Sequence, residues 1–463
     1  MSPKSPEILL KRVASLVKQN KELEQQLKNL TTKYKELQQL LEEKEQILAQ
    51  VPKEKIKIPE TSKHLKFDMV TVMFANIHGF DKLHKYKNSQ DLIDGLDTMV
   101  FNFDQILKKY KIEKIKTIGD AYMCAGGIPK KNITNPVQVV LAAIEIRKIL
   151  KELDKDLKLE EVLWSLSFGI HTGPCVAITM GKKKMSYDIK GDTVNIATRI
   201  EASGSIDKIL ISVMTYELVK EFFDCEHFGF IPVKYKGNLE LFEVRRIKPE
   251  MSADEQGMVP NDYFNVKFLL MQFIDLQEFM LNKLEKELPS YLYYHNVKHT
   301  VDVVTQVELI GWGEGVSEEE ILLLKTAALF HDAGHIMGYD EHEYKSTLIA
   351  REMLPQYGYT QKQIDDICDI IMATKLPPQP QNVLQRIICD ADLDYLGRAD
   401  FIPVSNTLFE ELKEQKKIQS LNEWNKLQIK FISRHQYFTH TAQILREVYK
   451  QAQIERIKAL IED

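Results

Sequence analysis

Tyr294-His295-Asn296-Val297-Lys298-His299 sets two imidazoles four residues apart, a spacing that predicts a helix carrying both on one face. The pair His331-Asp332 closes the apolar run Ile321-Leu322-Leu323-Leu324-Lys325-Thr326-Ala327-Ala328-Leu329-Phe330, which reads as a buried helix delivering both side chains into a core. Asp390-Ala391-Asp392-Leu393 adds carboxylates after a second apolar stretch, Val383 to Cys389. Imidazole and carboxylate are the donors that hold catalytic divalent metals. A buried charged pair without a partner is expensive, and a metal would be that partner. Any one of these histidines alone reads more simply as a satisfied structural residue. The order His, His-Asp, Asp on helical segments is what points to a metal centre. His335 follows four residues after His331 and His342 seven after His335; they either face a second ion or stay solvated on the outer side of the segment.

This pattern resembles the HD superfamily of metal-dependent phosphohydrolases over about residues 261–463, most strongly between 291 and 400. Within that superfamily, Tyr294-His295-Asn296-x-x-His299-x-x-Asp302-Val303 is similar to the signature of cyclic-nucleotide phosphodiesterases. The resemblance implies His299, His331, Asp332 and Asp392 as direct metal ligands, with Asp332 bridging if two ions bind. It implies His295 as the general acid for the leaving oxygen, and prefers Asp392 over Asp390, which would support the ligands from behind. Bound metals polarise a phosphoryl oxygen and make hydroxide available near neutral pH. Mixed histidine and carboxylate donors accept Mg, Mn, Fe or Zn.

Upstream, three strings carry a second resemblance, to class III adenylate/guanylate cyclases, across residues 67–244. They are Phe168-Gly169-Ile170-His171-Thr172-Gly173-Pro174, the stretch Tyr187-Asp188-Ile189-Lys190-Gly191-Asp192-Thr193-Val194-Asn195-Ile196-Ala197-Thr198-Arg199-Ile200-Glu201, and Lys116-Thr117-Ile118-Gly119-Asp120-Ala121-Tyr122. The resemblance implies Asp120 as a ligand for Mg or Mn. It implies Asn195 and Arg199, one helical turn apart, as contacts to ribose and α-phosphate. Lys236 would meet the terminal phosphates. Lys116 and Asp188 match the adenine-reading pair of adenylate cyclases, which implies ATP rather than GTP.

One residue departs from that family. Its motif Phe-Ala-Asp-Ile-x-Gly-Phe stands here as Phe74-Ala75-Asn76-Ile77-His78-Gly79-Phe80. An amide offers a metal one carbonyl oxygen and no charge, so dication affinity should fall. A weak cyclase, a nucleotide-binding regulator and a dimerising scaffold all remain open, with Lys116, Asp188, Asn195 and Arg199 arguing against the scaffold. Family sites are composite across a head-to-tail pair, so Asp120 would come from one subunit and Asn195 with Arg199 from the other.

The elements that must position these residues fall into segments of different periodicity. Val13, Asn20, Leu27, Tyr34, Leu41 and Leu48 repeat every seven residues, with Leu9, Leu16, Leu23, Leu30, Leu37 and Lys44 as the second seam. A parallel homodimeric coiled coil over 7–50 is expected, with Asn20 pairing across the seam. A linker at 51–65 leads to an α+β, ferredoxin-like cyclase domain at 66–247. Within it, strands are expected at 67–74 and 163–170, helices at 92–110 and 137–153, and a hairpin around Gly119-Asp120. A polar linker at 248–260 precedes an all-α HD domain at 261–463.

At 463 residues the chain suits two or three domains, and 44% hydrophobic residues suffice for real cores. A net charge of −5 argues against a nucleic-acid binder, since there is no large basic surplus to meet a phosphate backbone. Five scattered cysteines without Cys-x-x-Cys spacing suit a reducing compartment. With no membrane span or apolar leader, the expectation is a cytoplasmic protein that meets ATP and cyclic AMP.

Overall fold

The computed structural model describes residues 64–78, 89–156, 165–180, 186–233 and 237–461. The heptad segment 7–50, most of the linker 51–65 and Lys236 lie outside them.

Strand β1 (His64–His78) alternates in the way a central strand must. Val70, Val72 and Phe74 go to one hydrophobic cluster and Met73, Ala75 and Ile77 to another, none more than 5% exposed. Around it are β2 (Glu113–Ile118), β3 (Ala121–Gly126), β4 (Ser165–Met180), β5 (Ser186–Lys190), β6 (Ile209–Ser212), β7 (Phe223–Val233) and β8 (Gly237–Ile247). The sheet order is β2-β3-β1-β4-β6-β8-β7, with β5 added to β4. Only β4 and β6 run parallel; every other pair is antiparallel. Helices α1 (Ser89–Lys109) and α2 (Asn135–Asp156) bring Met99, Phe103, Val140 and Ile144 to the Met73 face. Helix α3 (Asp192–Ser203) brings Ala197 to the opposite face. It can lie directly on β4 because Gly169 has no Cβ; one there would collide with Glu201 N and Ala197 O. Strand β4 continues to Met180, ten residues past its expected end, because β1 still pairs with it beyond Gly173-Pro174.

The segment expected as a polar linker at 248–260 is folded. A short helical α4 (Val213–Val219) and the start of β7 flank it: Lys248 N donates to Phe222 O at 3.0 Å. Asp254 Oδ1 accepts from Met258 N at 2.7 Å and Val259 N at 3.1 Å, closing the loop around one carboxylate. Asn261 then caps helix α5 (Asp262–Glu287) by accepting from Phe264 N at 3.0 Å. This helix serves two cores. Phe264 packs among the cyclase-side residues, its ring 4.9 Å from Phe222 and 6.2 Å from Phe223. Leu269, Phe273, Leu276, Met280 and Leu284 belong to the next core. Asp275 Oδ2 also accepts from Ile133 N at 2.9 Å, and Lys111 Nζ reaches Gln356 O at 2.8 Å.

The second core is helical: α6 (Val297–Glu314), α7 (Glu318–Phe330), a 3-10 turn (Ala333–Met337), α8 (His342–Met353), α9 (Gln361–Met372), α10 (Val383–Asp392), α11 (Phe401–Glu414), α12 (Leu421–Arg434) and α13 (His440–Lys458). Helix α7 is apolar nearly all round, from Ile321 to Phe330, which places it at the centre of its neighbours. Its start is fixed by a capping box between Ser317 and Glu320. All five cysteines are unpaired. No described helix is long and apolar enough to cross a membrane.

Candidate metal centre and nucleotide cleft

Asn296 decides where the first two histidines go. Its side chain accepts from Lys298 N at 2.8 Å and His299 N at 3.2 Å, so α6 starts immediately after it. His299 therefore sits on the first turn, while His295 lies in the preceding turn rather than on the same helix as the spacing predicted. His331 closes α7; its Nδ1–H donates to Ala328 O at 2.8 Å, which leaves Nε2 free to bind. Asp392 ends α10, His335 stands on the 3-10 turn, and His342 opens α8. Gly334 lets that turn press on α8, since a Cβ there would strike His342 O and Ser346 N. Ser346 Oγ staples the same turn, accepting from Gly334 N at 2.8 Å and donating to His331 O at 2.6 Å.

These elements bring seven candidate residues together. His299 Nε2 lies 3.1 Å from Asp392 Oδ1 and 3.2 Å from His331 Nε2. Asp332 stands between two histidine pairs. Its Oδ2 is 3.4 Å from His299 and 3.2 Å from His331, while its Oδ1 is 3.5 Å from His342 and 3.9 Å from His335. Two donor groups result, His299-His331-Asp392 and His295-Asp332-His335, each with its ligand atoms within 4.8 Å. Asp332 Oδ2 and both ring nitrogens of His335 are buried without a hydrogen-bond partner. The Asp332 oxygen and the unprotonated nitrogen of His335 fit a divalent cation, because a buried lone pair left bare costs free energy.

The electrostatics agree. Burial opposes charge on His299 and His331, but Asp332 and Asp392 outweigh it and raise both imidazoles. Burial likewise opposes charge on the two aspartates, yet the surrounding histidines hold both carboxyls below the usual range. His335 is pushed down to about 3 by burial, so it stays neutral with a lone pair to give. These shifts favour protonated imidazoles beside ionised carboxylates, and a metal binding such a set would displace the protons.

Two further carboxylates are sorted by their partners. Asp390 is fully buried and accepts from Phe438 N at 2.9 Å, Thr439 N at 2.8 Å and Thr439 Oγ1 at 2.7 Å. It anchors the start of α13 and carries no contact to the histidines; burial pushes it up to about 6. Glu411 of α11, also fully buried, accepts from Tyr294 N at 2.9 Å, His295 N at 3.1 Å and His295 Nδ1 at 2.5 Å. Sequence reasoning missed it, since Phe409-Glu410-Glu411-Leu412 resembles any acidic helix face. The available signal was its place three residues after Leu408 on the half-buried side of α11.

A cavity of about 570 Å³ opens on this cluster. His295, Asp332, His342 and Asp392 form its polar end, and Leu393, Leu396, Phe431 and Ile432 an apolar wall. Gln428, also missed in the sequence, lines it at 7% exposure. Its Oε1 accepts from Ser405 Oγ at 2.5 Å, fixing which way the amide faces.

The upstream cleft is assembled less completely. Asn76 on β1 pairs with Ala121 and Ser167, and Ile77 N donates to Asp120 O at 3.0 Å, so Asn76 and the exposed Asp120 turn are neighbours. Gly119 takes φ +60° to make that turn. Lys116 Nζ meets Asp188 Oδ1 at 2.6 Å across β2 and β5. Asn195 and Arg199 are exposed on α3, and Arg199 Nη1 reaches only Pro232 O, at 3.4 Å. Neither bonds to Asn76, Asp120, Lys116 or Asp188 among the described residues. Lys236 falls outside those residues.

Residues 62–246 match the family model of the adenylate and guanylate cyclase catalytic domain, and residues 296–394 match the HD domain. An adenylate cyclase of Mycobacterium tuberculosis is 34% identical over 185 residues, 40% of this chain and 41% of that protein. Guanylate cyclase 32E of Drosophila melanogaster is 32% identical over 192 residues, 41% of this chain and 16% of that protein. The human guanylyl cyclase C is 34% identical over 155 residues, covering 33% and 14%. The chain thus spans less than half the length of these relatives. Among solved structures, the adenylyl cyclase CyaB from P. aeruginosa aligns over 39% of this chain and 95% of its own, with 28% identity and a TM-score of 0.36. The chain joins a class III adenylate/guanylate cyclase catalytic domain to an HD domain.

Proposed function

We propose that the HD half is a metal-dependent phosphodiesterase acting on a cyclic nucleotide, and that the cyclase-like half binds ATP and tunes it. The observation that carries the reading is Asp332, whose two oxygens face two different histidine pairs at one end of a cavity. His299, His331, Asp392 and Asp332 would hold one divalent ion; Asp332, His335 and His342 would hold a second. Such ions polarise a phosphoryl oxygen and make a nucleophile of water near neutral pH.

The side chains supply the rest. His331 keeps Nε2 aimed at the centre because Nδ1 is tied to Ala328 O. As the ring phosphodiester opens, a hydroxyl joins phosphorus and the phosphorus–oxygen bond to the sugar breaks. The departing oxygen needs a proton, and His295 is the donor at hand. Glu411 holds its Nδ1, which turns the ring and offsets the positive charge of a protonated imidazole. The apolar wall with Phe431 suits a flat base, and the oriented Gln428 amide suits its hydrogen-bonding edge.

Elemental analysis with a hydrolysis panel tests this: cyclic AMP, cyclic GMP, a nucleoside triphosphate and a phosphomonoester. Metal with turnover of cyclic substrates supports the reading. Turnover of the non-cyclic compounds alone would move the site to another phosphoester class, and metal-free material would end the proposal.

For the upstream half, the Lys116–Asp188 pair favours ATP, since an ammonium and a carboxylate match the ring nitrogen and amino group of adenine. Asn76 makes turnover to cyclic AMP weak. The separation of Asn195 and Arg199 from Asp120 supports a site completed by a second copy, which a parallel coil over 7–50 would hold in place. Synthesis and hydrolysis on one chain would be futile if both ran freely, so ATP binding should change hydrolysis. Cyclic AMP hydrolysis measured with and without ATP decides it; unchanged rate and affinity would refute the coupling.

A further inference from the structure

The metal chamber has a neighbour. A second cavity, of about 630 Å³, shares Leu376, Leu393, Leu427 and Phe431 with it as a common wall. Leu376 and Leu427 are 56% and 48% exposed, so this wall stands at the mouth. The two cavities have opposite charge. The metal chamber is lined by five carboxylates, Asp332, Asp340, Glu341, Glu343 and Asp392, against one lysine, Lys375. The outer cavity is lined by Lys430 and Arg434, and no acidic side chain lines it. These two cations stand one helical turn apart on α12, both exposed, and neither is in an ion pair among the described residues. His435, the other basic group there, is pushed down to about 4 by burial and the nearby Lys450, so the positive charge rests on Lys430 and Arg434.

In a chain of net charge −5, an anionic nucleotide entering past Asp340, Glu341 and Glu343, with Lys375 the one lysine lining the chamber, would meet net repulsion before it reached the metal. We propose that the outer cavity is an anion subsite, in which Lys430 and Arg434 receive a phosphate group of the nucleotide and pass it by Phe431 into the metal chamber. The inference rests on the phosphodiesterase reading for what enters, and names how it enters. Phosphate in a substrate and phosphate in a released mononucleotide share this chemistry, so both are probed.

The test compares K430Q/R434Q with K458E, which removes the same net charge from α13, where Lys458 pairs with Glu455 at 2.8 Å. Cyclic nucleotide hydrolysis by the metal-loaded full chain is measured from low to moderate salt, and AMP binding is measured separately by calorimetry. The double variant should lose about tenfold in kcat/KM at low salt, with kcat little changed and a flatter salt dependence. Its AMP binding should weaken about tenfold, while K458E behaves as the parent. Hydrolysis by both variants within twofold of the parent, with unchanged AMP affinity, would overturn the subsite and leave the phosphodiesterase reading standing. If the parent hydrolyses no phosphodiester yet AMP binding depends on Lys430 and Arg434, the phosphodiesterase reading fails and the subsite survives.

Discussion

In the HD half, His299, His331, Asp332 and Asp392 meet through contacts of 3.1–3.5 Å, and three of the four are less than a tenth exposed. In the cyclase half, Asp120, Asn195 and Arg199 are all exposed and do not touch. The difference lies in who completes each site. The first is packed on one chain, so under the proposed reading an ion alone would complete it. The second leaves its groups on open surfaces, the arrangement expected if, as proposed, a ligand and a second copy complete it.

The largest effect should break the first site and spare the second. His331→Ala or Asp332→Ala should cost at least about 10³-fold in hydrolysis with loss of metal by elemental analysis. ATP binding should not change; a parallel loss would show that the two sites are not separate. Acid should also act on the HD half. The His435 imidazole is depressed to about 4 in the folded chain, against about 6.5 when unfolded. Its neutral state therefore adds stability that is complete above the unfolded value and is lost as pH falls through 4, up to about 3 kcal/mol. Urea unfolding across that range measures it, and His435→Gln should flatten the slope; an equally steep variant would refute it.

Glu411→Gln should lower kcat about 10²-fold with metal content retained, since it disturbs the proton donor and not the ligands. Metal loss in that variant would mean Glu411 props up the whole cluster. The smallest expected effect concerns the open site. Asn76→Asp should raise cyclic AMP formation about tenfold or more, by restoring a charged oxygen for the dication. No gain would trace the weakness to other residues.

The sequence made the convergence of the histidines and aspartates legible because they recur in short strings joined to apolar helices, such as His331-Asp332 after Ile321 to Phe330. The layered sheet was legible too, through the alternation in β1 and the Gly119-Asp120 hairpin. What it hid depends on contacts far along the chain. Glu411 reaches His295 across 116 positions, with no motif to announce it. The cap by Asn296, which moves His295 off the helix, is a local competition that spacing alone cannot decide. Strand β4 outran its expected end because pairing with β1 outweighs the poor strand propensity of Gly173 and Pro174. The heptads and Lys236 lie outside the described residues.

Helix α5 has a practical consequence. Its first turn plugs an aromatic nest made by Phe222 and Phe223, while its later turns line the core of the helical half. A truncation at residue 260 would therefore strip one fragment of its stopper and leave the other with a greasy, unsheathed end. Dissection of this chain by deletion should yield insoluble pieces, and an engineered cut would need to keep α5 on both.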